Sequence, residues 1–578
     1  MVNVKNLFGM AVMATALVGC ASNDDITPNG NENESNKVGT AYASFKINLP
    51  TVSGTRAPST GNPDGTPDFK PGTADEYEVK NGTILIFDAN TKKYVTKADL
   101  GNMNPWKDVK TGGVTTEAIA TVKLEGEGVS VTGNYLALVL LNNNTGTADE
   151  KVTLPTGTIT YDEWNKVAKN AKADKYLSTD GIFMANAPMF TSTTTDPTTL
   201  VPVANVCASP EEAKAKTATT IYVERGLAKV TMKNFYPSYT IAAGTYKDDE
   251  VVINTWQLDV TNKSTFPIHQ ADLKSGWSDI WNTDRFYDKD KGVFKRVYWG
   301  EDPNYDKDVY SKGTTTKSAL EYCKDAFNMI SNAEVVGLPG DDKPQYCLEN
   351  TFNLANMMQG QTTRVVFKAV YTPKALKGKT GDDLTFFKIG NNTAIWTKAN
   401  LEKQIKAVAF TVMGITDPDE QAMYSVDLAK GSNISGVAGQ HLIAVENFKF
   451  DAGGSTKTSK VSTGVVAKIN AKLGLTAAVG ISTYLHGEAY YIARIKHFNE
   501  LTKWTAGTPY NGDNNAFLGR YGVLRNNWYE LSVKSISNLG YPEVPEVKPN
   551  VPDDENDKYI NVEVKILDWA KRTQEIEL

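Results

Sequence analysis

Histidine and cysteine are scarce in this chain, with four residues of each among 578. The histidines lie far apart and form no pair at the spacing of a metal site on a helix; they are His269, His441, His486 and His497. The sequence also lacks a phosphate-binding loop, a nucleophile elbow and a dinucleotide fingerprint. We therefore expect no catalytic residues, no metal centre and no cofactor, and we do not expect an enzyme.

An excess of positive charge is missing as well. Lys and Arg number 61 against 67 Asp and Glu, which gives a net charge of −6. No basic cluster stands out, so we expect no nucleic-acid partner. Hydrophobic residues make up 40% of the chain, which is enough for substantial cores, and the length allows roughly two to four domains.

Long apolar runs are absent after the first 20 residues. Residues 7–18 form one run that follows Lys5 and is too short to span a bilayer. It leads into the sequence LVGC, which resembles a bacterial lipoprotein signal with Cys20 as the acylated residue, carrying for example palmitate. A buried N-terminal helix with an unrelated cysteine is the alternative. Residues 21–40 are rich in Asn, Asp and Glu and are expected to form a tether.

The other cysteines carry little information. Cys323 lies on the apolar face of a predicted helix, residues 316–330, so we expect a buried core thiol. A disulfide between Cys323 and Cys347 is the alternative for an exported protein, although a chain of this size should not depend on one.

A period of two marks the first predicted strand, residues 41–49. One face is expected to be buried because apolar side chains occupy every second position, namely Ala41, Ala43, Phe45, Ile47 and Leu49. Residues 50–72 are crowded with Pro, Gly, Ser, Thr and Asp and predict an exposed loop. Arg56 and Ala57 lie in that loop, where an ordinary surface arginine is the default interpretation.

Buried strands are predicted at residues 83–87, 134–141 and 221–232, the last of which closes a first domain. A second set of strands is predicted to include residues 256–260, 363–371 and 528–536. Helices are few and are predicted at residues 161–172, 316–330 and 398–408. Many strands with long loops predict a mainly β fold built of β-sandwiches. We place the boundary between two sandwich domains within residues 234–247, which gives domains of residues 57–238 and 239–541.

The C-terminal region is punctuated by prolines at positions 542, 545, 549 and 552. This composition predicts a stiff, extended, solvent-exposed linker, and residues 553–557 add an acidic hinge. A strand is predicted next, because apolar side chains again occupy alternate positions: Ile560, Val562, Val564 and Ile566. We assign residues 542–578 to this linker and a separable strand.

One loop has the spacing with which a calcium loop begins, at Asp302, Asn304, Asp306 and Asp308. Lys307 replaces the expected glycine, and Gly313 replaces the final glutamate. We therefore expect a solvated acidic loop, with a structural calcium ion as the alternative.

Several segments together carry a resemblance to a known family. Besides Cys20, they are residues 49–57, 223–230 and 524–540, with weaker ones at 296–300 and 346–352 and a tail at 569–578. On these segments the chain resembles the fimbrillins of type V pili in the Bacteroidia, specifically the major subunit of the short-fimbria type.

The resemblance implies two transthyretin-like β-sandwich domains and a surface fimbrium that mediates adhesion and biofilm formation. It implies that residues 1–20 are a signal peptide and that residues 21–56 are a propeptide. The lipoprotein precursor would be carried to the outer membrane, where an Arg-specific protease would cut between Arg56 and Ala57. The first strand, with Phe45, Ile47 and Leu49, would leave, and the tail strand of another subunit would replace it.

The implied partners are copies of the chain itself, accessory fimbrial subunits, the protease, and host or bacterial surface ligands. Two other functions remain open at this point. The chain could be an accessory tip or anchor subunit, or a monomeric surface lipoprotein that binds glycan or host protein through aromatic pairs such as residues 298–299 and 490–491. In β-sandwiches such aromatics more often belong to the core.

Overall fold

The computed structural model of the chain describes residues 39–50, 72–101, 107–108, 114–167, 173–178, 181–190, 198–271, 295–296, 299–390, 392–428, 432–433, 439–497, 518–553 and 560–567. The fold is mainly β, as the sequence predicts, with strands arranged in several sheets.

The strands of the first half are β1 (Gly39–Pro50), β2 (Gly82–Asp88), β3 (Tyr94–Asp99), β4 (Lys107–Asp108), β5 (Val114–Gly126), β6 (Tyr135–Leu141), β7 (Leu177–Ser178), β8 (Gly181–Ile182), β9 (Met184–Asn186), β10 (Met189–Phe190), β11 (Val201–Pro202), β12 (Thr219–Arg225), β13 (Ala228–Met232), β14 (Tyr239–Thr240) and β15 (Glu250–Asp259). Those of the second half are β16 (Thr261–Asn262), β17 (Lys295–Arg296), β18 (Phe327–Asn328), β19 (Gly340–Cys347), β20 (Arg364–Thr372), β21 (Phe386–Ile389), β22 (Trp396–Thr397), β23 (Tyr424–Val426), β24 (Ser432–Asn433), β25 (Gln440–Leu442), β26 (Phe448–Phe450), β27 (Ile481–Tyr484), β28 (Glu488–Arg494), β29 (Trp528–Ile536) and β30 (Ile560–Leu567).

The α-helices of the described residues are α1 (Ala74–Tyr77), α2 (Tyr161–Val167), α3 (Ala173–Tyr176), α4 (Pro210–Ala215), α5 (Val309–Lys312), α6 (Ala319–Ala326), α7 (Lys398–Met413), α8 (Pro418–Ala422) and α9 (Thr463–Lys472). Short 3-10 turns occur at Asn332–Glu334, Leu354–Asn356, Lys374–Leu376, Gly381–Leu384, Val445–Asn447 and Leu485–Gly487. None of these described helices combines the length and the apolarity that a membrane span needs.

The N-terminal part is a β-sandwich made by one nine-stranded sheet in the order β3-β2-β6-β9-β12-β1-β5-β4, with β11 on β6. Strand β12 joins the two layers, because its first half pairs with β1 and its second half pairs with β9. Both layers contribute to a single core, in which Ile84 and Val139 meet Phe45 and Leu124. The alternating apolar positions of β1 therefore face a core, as their period predicts.

The C-terminal part is a second sandwich. One sheet has the order β19-β13-β29-β30 and the other the order β14-β15-β20-β28. Val230 and Leu531 of the first sheet share a core with Trp256 and Phe367 of the second, and all four are buried. A further core layer, which includes Leu85 and Leu348, lies between the two sandwiches.

Residues 221–232 form two strands rather than the single predicted one. Strand β12 belongs to the N-terminal sandwich and β13 to the C-terminal one. The division falls at Gly226, where a Cβ would lie 2.9 Å from the ring of Tyr176 and 3.0 Å from that of Phe183. The chain therefore passes from the N-terminal to the C-terminal sandwich at Gly226, before the predicted domain boundary between residues 238 and 239. The sequence pattern did not reveal this break because both strands consist mostly of buried residues.

A separate module is inserted between β20 and β28, which are antiparallel neighbours. Its five-stranded sheet has the order β22-β21-β27-β25-β24. Helices α7 and α9 cover this sheet, and buried residues such as Ile405 and Ile469 form its core. Helix α7 is longer than the predicted 398–408 and ends at Gly414, which adopts a left-handed conformation with φ of 65°.

The predicted helix at residues 316–330 is shorter in the structure. Ser318 caps α6 with a capping box, and the helix ends before Phe327, which begins β18. Cys323 is buried on α6, as predicted. The alternative prediction of a Cys323–Cys347 disulfide is wrong, because both thiols are free and lie in different core clusters. The predicted helix at 161–172 is described only as α2, and residues 168–172 lie outside the described residues.

The acidic loop is only partly solvated. Asp306 and Asp308 are exposed and pair with Lys307 and Lys312. Asp302 is buried, and three donors converge on its carboxylate: the backbone N–H of Asn304 at 2.6 Å, that of Thr351 at 2.8 Å and the Asn262 amide at 2.7 Å. Asp302 is therefore a structural acceptor that joins three segments, and the prediction of solvation is wrong for it.

Of the aromatic pairs, Trp299, Tyr490 and Tyr491 are buried, which confirms their place in the core. Tyr298 lies outside the described residues.

Asp302 gives a test of this loop. Burial raises the pKa of Asp302 to about 7, although its hydrogen bonds oppose the shift. The folded chain thus holds this proton more tightly than the unfolded chain, where a carboxyl group titrates near pH ~4. Stability should fall as pH rises from about 4 to 7, so the urea midpoint should drop across this window.

Asp302→Asn should remove this pH dependence. The same substitution should lower the free energy of unfolding by about 1–3 kcal/mol, because the NH2 group of the new amide would face the N–H groups that now donate to the carboxylate. Asp306→Asn, in the same loop but exposed, should change stability by less than about 0.5 kcal/mol. Equal effects of the two variants in urea titrations would contradict the structural role of Asp302.

Candidate functional site

Strand β1 is hydrogen-bonded along both of its edges. It runs antiparallel to β5 along its whole length and parallel to β12 from Phe45 to Asn48. Beside its first half, Tyr42 and Cys207 exchange two backbone hydrogen bonds of 2.9 and 2.8 Å. A strand with partners on both sides is internal to its sheet, so its loss would open a gap between β5 and β12.

The core face of β1 is completely buried. Phe45, Ile47 and Leu49 have no exposed surface, and neither do Ala41 and Ala43. These are the residues that the resemblance assigns to the removed strand. The large side chains lie toward the end of the strand that leads to Pro50, so the deepest part of any gap would be there.

The other face of β1 is covered more than its polar sequence predicts. The Ser44 hydroxyl donates to the Ala213 carbonyl of α4 at 2.8 Å and lies 2.8 Å from the Thr121 hydroxyl. Asn48 is also buried, whereas Lys46 reaches solvent and pairs with Glu117 at 2.9 Å. Helix α4 is capped by Ser209 and begins with Pro210, a start signal that sequence analysis missed.

The predicted lipidation and cleavage residues lie outside the described residues. Cys20 lies within residues 1–38, and Arg56 and Ala57 lie within residues 51–71. Their roles remain predictions. The described part of β1 ends at Pro50, so Arg56 follows the strand closely in sequence.

The predicted tail strand exists and pairs with the body of its own chain. Strand β30 lies antiparallel to β29, and the core-facing strand β29 has β13 on its other side. The apolar positions of β30 register opposite β29 residues as Ile560 with Ile536, Val562 with Val533, Val564 with Leu531 and Ile566 with Tyr529. Among the described strands, β30 is therefore an edge strand of the C-terminal sandwich, with β29 as its hydrogen-bonded neighbour.

The segment before β30 is not the exposed linker that its prolines predict. Tyr541 and Tyr490 exchange two backbone hydrogen bonds of 2.7 Å. Val547 is 5% exposed and Asp553 is 1% exposed. Pro545 accepts a hydrogen bond of 2.7 Å from the buried Arg364 side chain. We call residues 541–553 the strap, because they are bound along the C-terminal sandwich.

Buried polar residues connect the two sandwiches. The Lys229 ammonium lies 2.6 Å from the Glu76 carboxylate, which also accepts a hydrogen bond from the Tyr346 hydroxyl at 2.6 Å. Burial alone would raise the pKa of Glu76, but the Lys229 charge and the hydrogen bonds outweigh it and lower the pKa. The Arg225 N–H donates to the Asn526 side chain at 3.1 Å. Residues 223–230 and 524–540, which both contribute to the resemblance, thus contact each other where the two sandwiches meet.

The arrangement offers strands rather than reactive groups. Within the described parts of the chain, no three His, Cys, Asp or Glu side chains come together in a way that could hold a metal ion. The site comprises β1, an internal strand, and β30, which lies at the edge of its sheet among the described strands and has apolar residues at the same period of two.

A family model described as "Major fimbrial subunit protein type IV, Fimbrillin, C-terminal" matches residues 482–575. This segment runs from within β27 to beyond β30 and contains the strap. The match confirms the resemblance to fimbrillins in the C-terminal part of the chain. It begins where the inserted module ends. No curated protein sequence matches the chain.

Among solved structures, a candidate cell adhesion protein from Parabacteroides distasonis ATCC 8503 is similar at 10% identity and a TM-score of 0.37, covering 93% of this chain and 99% of its own. The tip fimbrial protein Mfa3 from Porphyromonas gingivalis, truncated at its C-terminus, has 10% identity and a TM-score of 0.26, covering 92% and 99%. A fimbrial assembly protein from P. distasonis has 12% identity and a TM-score of 0.25, covering 57% and 96%. The family match and the chain's own strands, rather than these distant likenesses, support the function proposed below.

Phe45→Ala should destabilise the uncleaved chain strongly. The ring is completely buried in the N-terminal core, so its removal should lower the free energy of unfolding by about 3–5 kcal/mol in urea denaturation. Lys46→Ala is the matched control on the same strand. Its side chain is partly exposed and ion-paired, so a loss below about 1 kcal/mol is expected. Similar losses for both variants would show that β1 is not packed as described.

Proposed function

We propose that the chain is the stalk subunit of a surface pilus and that it polymerises by strand exchange after proteolytic cleavage. The family match over residues 482–575 supports a fimbrial component with a structural role. The observation that carries the finer proposal is β1: an internal strand, buried on its core face, that ends at Pro50, six residues before Arg56 in the sequence.

The first step is delivery and cleavage. Cys20 would be acylated and would hold the precursor in the outer membrane through its lipid. An Arg-specific protease would then cut between Arg56 and Ala57, and residues 21–56 would leave with the lipid. Cutting one bond in a Pro- and Gly-rich loop fits the kind of segment that proteases reach.

The second step fills the gap. Without β1, the edges of β5 and β12 lack partners, and the positions of Phe45, Ile47 and Leu49 are open to water. The tail strand of another subunit would offer Ile560, Val562, Val564 and Ile566 at the same period. Refilling three large positions would contribute roughly 5–9 kcal/mol, at about 1.5–3 kcal/mol for each side chain. Backbone pairing would add register, as in other strand-addition complexes.

The third step is growth. Each subunit would donate a strand at one end and accept one at the other, so the contact is head-to-tail. Such contacts need not close on themselves, and an open series gives a filament. In this proposal the filament is extracellular and mediates adhesion and biofilm formation, with accessory fimbrial subunits and host or bacterial surface ligands as further partners.

An accessory tip or anchor subunit is the second candidate function. A tip needs no strand to donate, and an anchor would be expected to keep its first strand. The presence of both a strand before an arginine-containing loop and a C-terminal edge strand favours the stalk. A monomeric surface lipoprotein that binds glycan would have no need of either feature, and three of its four candidate aromatics are buried.

Arg56→Ala should stop assembly at the precursor. Without the arginine the protease has no bond to cut, β1 stays in place, and the groove never opens. We expect a lipidated, unpolymerised chain of precursor mass, and wild-type filaments whose subunit begins at Ala57. Electron microscopy of the cell surface with N-terminal sequencing would measure both. Filaments of normal length from Arg56→Ala cells would contradict the proposal.

Charged residues on the apolar positions of the tail strand should also block assembly. Val562→Lys with Val564→Lys would bring two charges into the acceptor's core, so filament yield should fall more than tenfold. Glu563→Lys with Lys565→Glu is the matched control, because these positions alternate with the apolar ones and keep the net charge. Circular dichroism of the monomer should verify that both variants are folded. Undiminished assembly of the first variant would exclude the tail strand as donor.

A further inference from the structure

We infer that the strap, residues 541–553, stays bound to its own C-terminal sandwich when the tail strand leaves, so that the moving segment begins after Asp553. This inference rests on the proposed strand exchange and adds to it where the donated segment starts and how far it reaches. It differs from the expectation of a free Pro-rich spacer with an acidic hinge at 553–557.

The first part of the strap covers the outer face of the sheet β14-β15-β20-β28. Tyr541 pairs with Tyr490 of β28, and the Val544 N–H donates to the Asn332 side chain at 2.7 Å. The side chains of Tyr541 and Val544 pack against a cluster that includes Val366 and Tyr490. Removing the strap would expose this apolar face to water.

The middle of the strap completes the environment of a buried charge. Arg364 is 2% exposed, and its Nε donates to Oδ2 of Asp259 at 2.8 Å. Its Nη2 lies 2.8 Å from the same carboxylate oxygen, as an ion pair. Its Nη2 also donates to the Pro545 carbonyl at 2.7 Å. If the strap departed, this buried guanidinium would lose the Pro545 carbonyl as an acceptor, which is costly for a buried charge.

The strap also packs closely against the backbone of Gly360. A Cβ at Gly360 would lie 2.9 Å from the Pro549 Cα and 2.8 Å from the Cys323 sulfur. The backbones of Gly360 and Pro549 are therefore too close for any side chain at position 360. Val547, two residues before Pro549, is buried in the same cluster as Cys323.

The end of the strap is held by Asp553. The Thr362 hydroxyl donates to the Asp553 carboxylate at 2.8 Å, and the Asp553 N–H donates to the Met357 carbonyl at 3.1 Å. The Gln359 N–H donates to the Val551 carbonyl at 2.9 Å. Asp553 is almost completely buried, so it acts as an anchor rather than as part of a hinge.

This anchor limits the reach of the donated strand. Seven Cα–Cα steps separate Asp553 from Ile560, and an extended chain covers at most about 25 Å in seven steps. The acceptor groove of the neighbouring copy must therefore open within that distance of Asp553. The face around Met357 and Asp553 is thus the part of the C-terminal sandwich that meets the N-terminal sandwich of the next copy.

A pair of engineered disulfides can test this. Met358 and Pro552 are an antiparallel bridge flanked by the two hydrogen bonds from Gln359 and Asp553, which makes them a non-hydrogen-bonded pair. Such pairs have Cα atoms about 4.5 Å apart, within the range of a disulfide. Met358→Cys with Pro552→Cys should therefore lock the strap to the body. Ser532→Cys with Glu563→Cys, at paired positions of β29 and β30, should lock the tail strand as the matched comparison.

Each full-length variant is oxidised, cleaved with an Arg-specific protease, and scored for filaments by electron microscopy with and without a reductant. The strap lock should assemble to within twofold of its reduced form. The tail lock should give more than tenfold fewer filaments when oxidised and recover on reduction. The reduced samples show that each variant folds and assembles.

Two failures are distinguishable. If oxidation of the strap lock reduces filament yield more than tenfold and reduction restores it, the strap leaves its sandwich and the inference is overturned while strand donation stands. If the oxidised tail lock assembles as well as its reduced form, the tail strand does not leave, and the proposed function fails together with the inference.

Discussion

The position of β1 inside the N-terminal sheet is the constraint on which the rest of the structure depends. Its edges hold β5 on one side and β12 on the other, and β12 in turn joins the two layers of the sandwich. Phe45 and its apolar neighbours on β1 supply one wall of the core. A sandwich built this way cannot lose β1 without acquiring two open edges and an apolar gap, which is a strong demand for a replacement strand.

The C-terminal sandwich has the opposite arrangement. Among the described strands, β30 lies at the edge of its sheet and pairs with β29, while Arg364 and Asp553 bind the strap before it to the body. An edge strand is the part of a sheet that can leave at the lowest cost, because the remaining strands keep their partners. In the proposed exchange, the N-terminal sandwich would therefore accept a strand once β1 is removed, and the C-terminal sandwich would donate β30.

Sequence patterns predicted strands, which depend on the local order of residues, but missed burial that depends on contacts with residues distant in the sequence. The period of two found β1 and β30, and continuous apolar runs found β2, β6, β20 and β29. Proline content, in contrast, predicted exposure for residues that are bound to the body, because composition does not reveal which surface lies beside a segment. The burial of Asp302 was hidden for the same reason: its donors come from Asn262 and Thr351, distant in sequence. The break at Gly226 was missed because the strands on both sides of it are largely buried.

The two pairings of the tail strand differ in a way that gives the proposed exchange a direction. On its own sheet, β30 has one hydrogen-bonded neighbour, β29. In the gap left by β1 it would lie between β5 and β12 and would have two. Main-chain hydrogen bonds contribute only about 0.5–1.5 kcal/mol each, but a second ladder supplies several of them together with the burial of a second row of neighbours. Transfer from an edge to an internal position is therefore favourable, provided that cleavage has first removed β1. In the proposed mechanism, β1 occupies both edges until it is cleaved away, so the uncleaved chain would not polymerise.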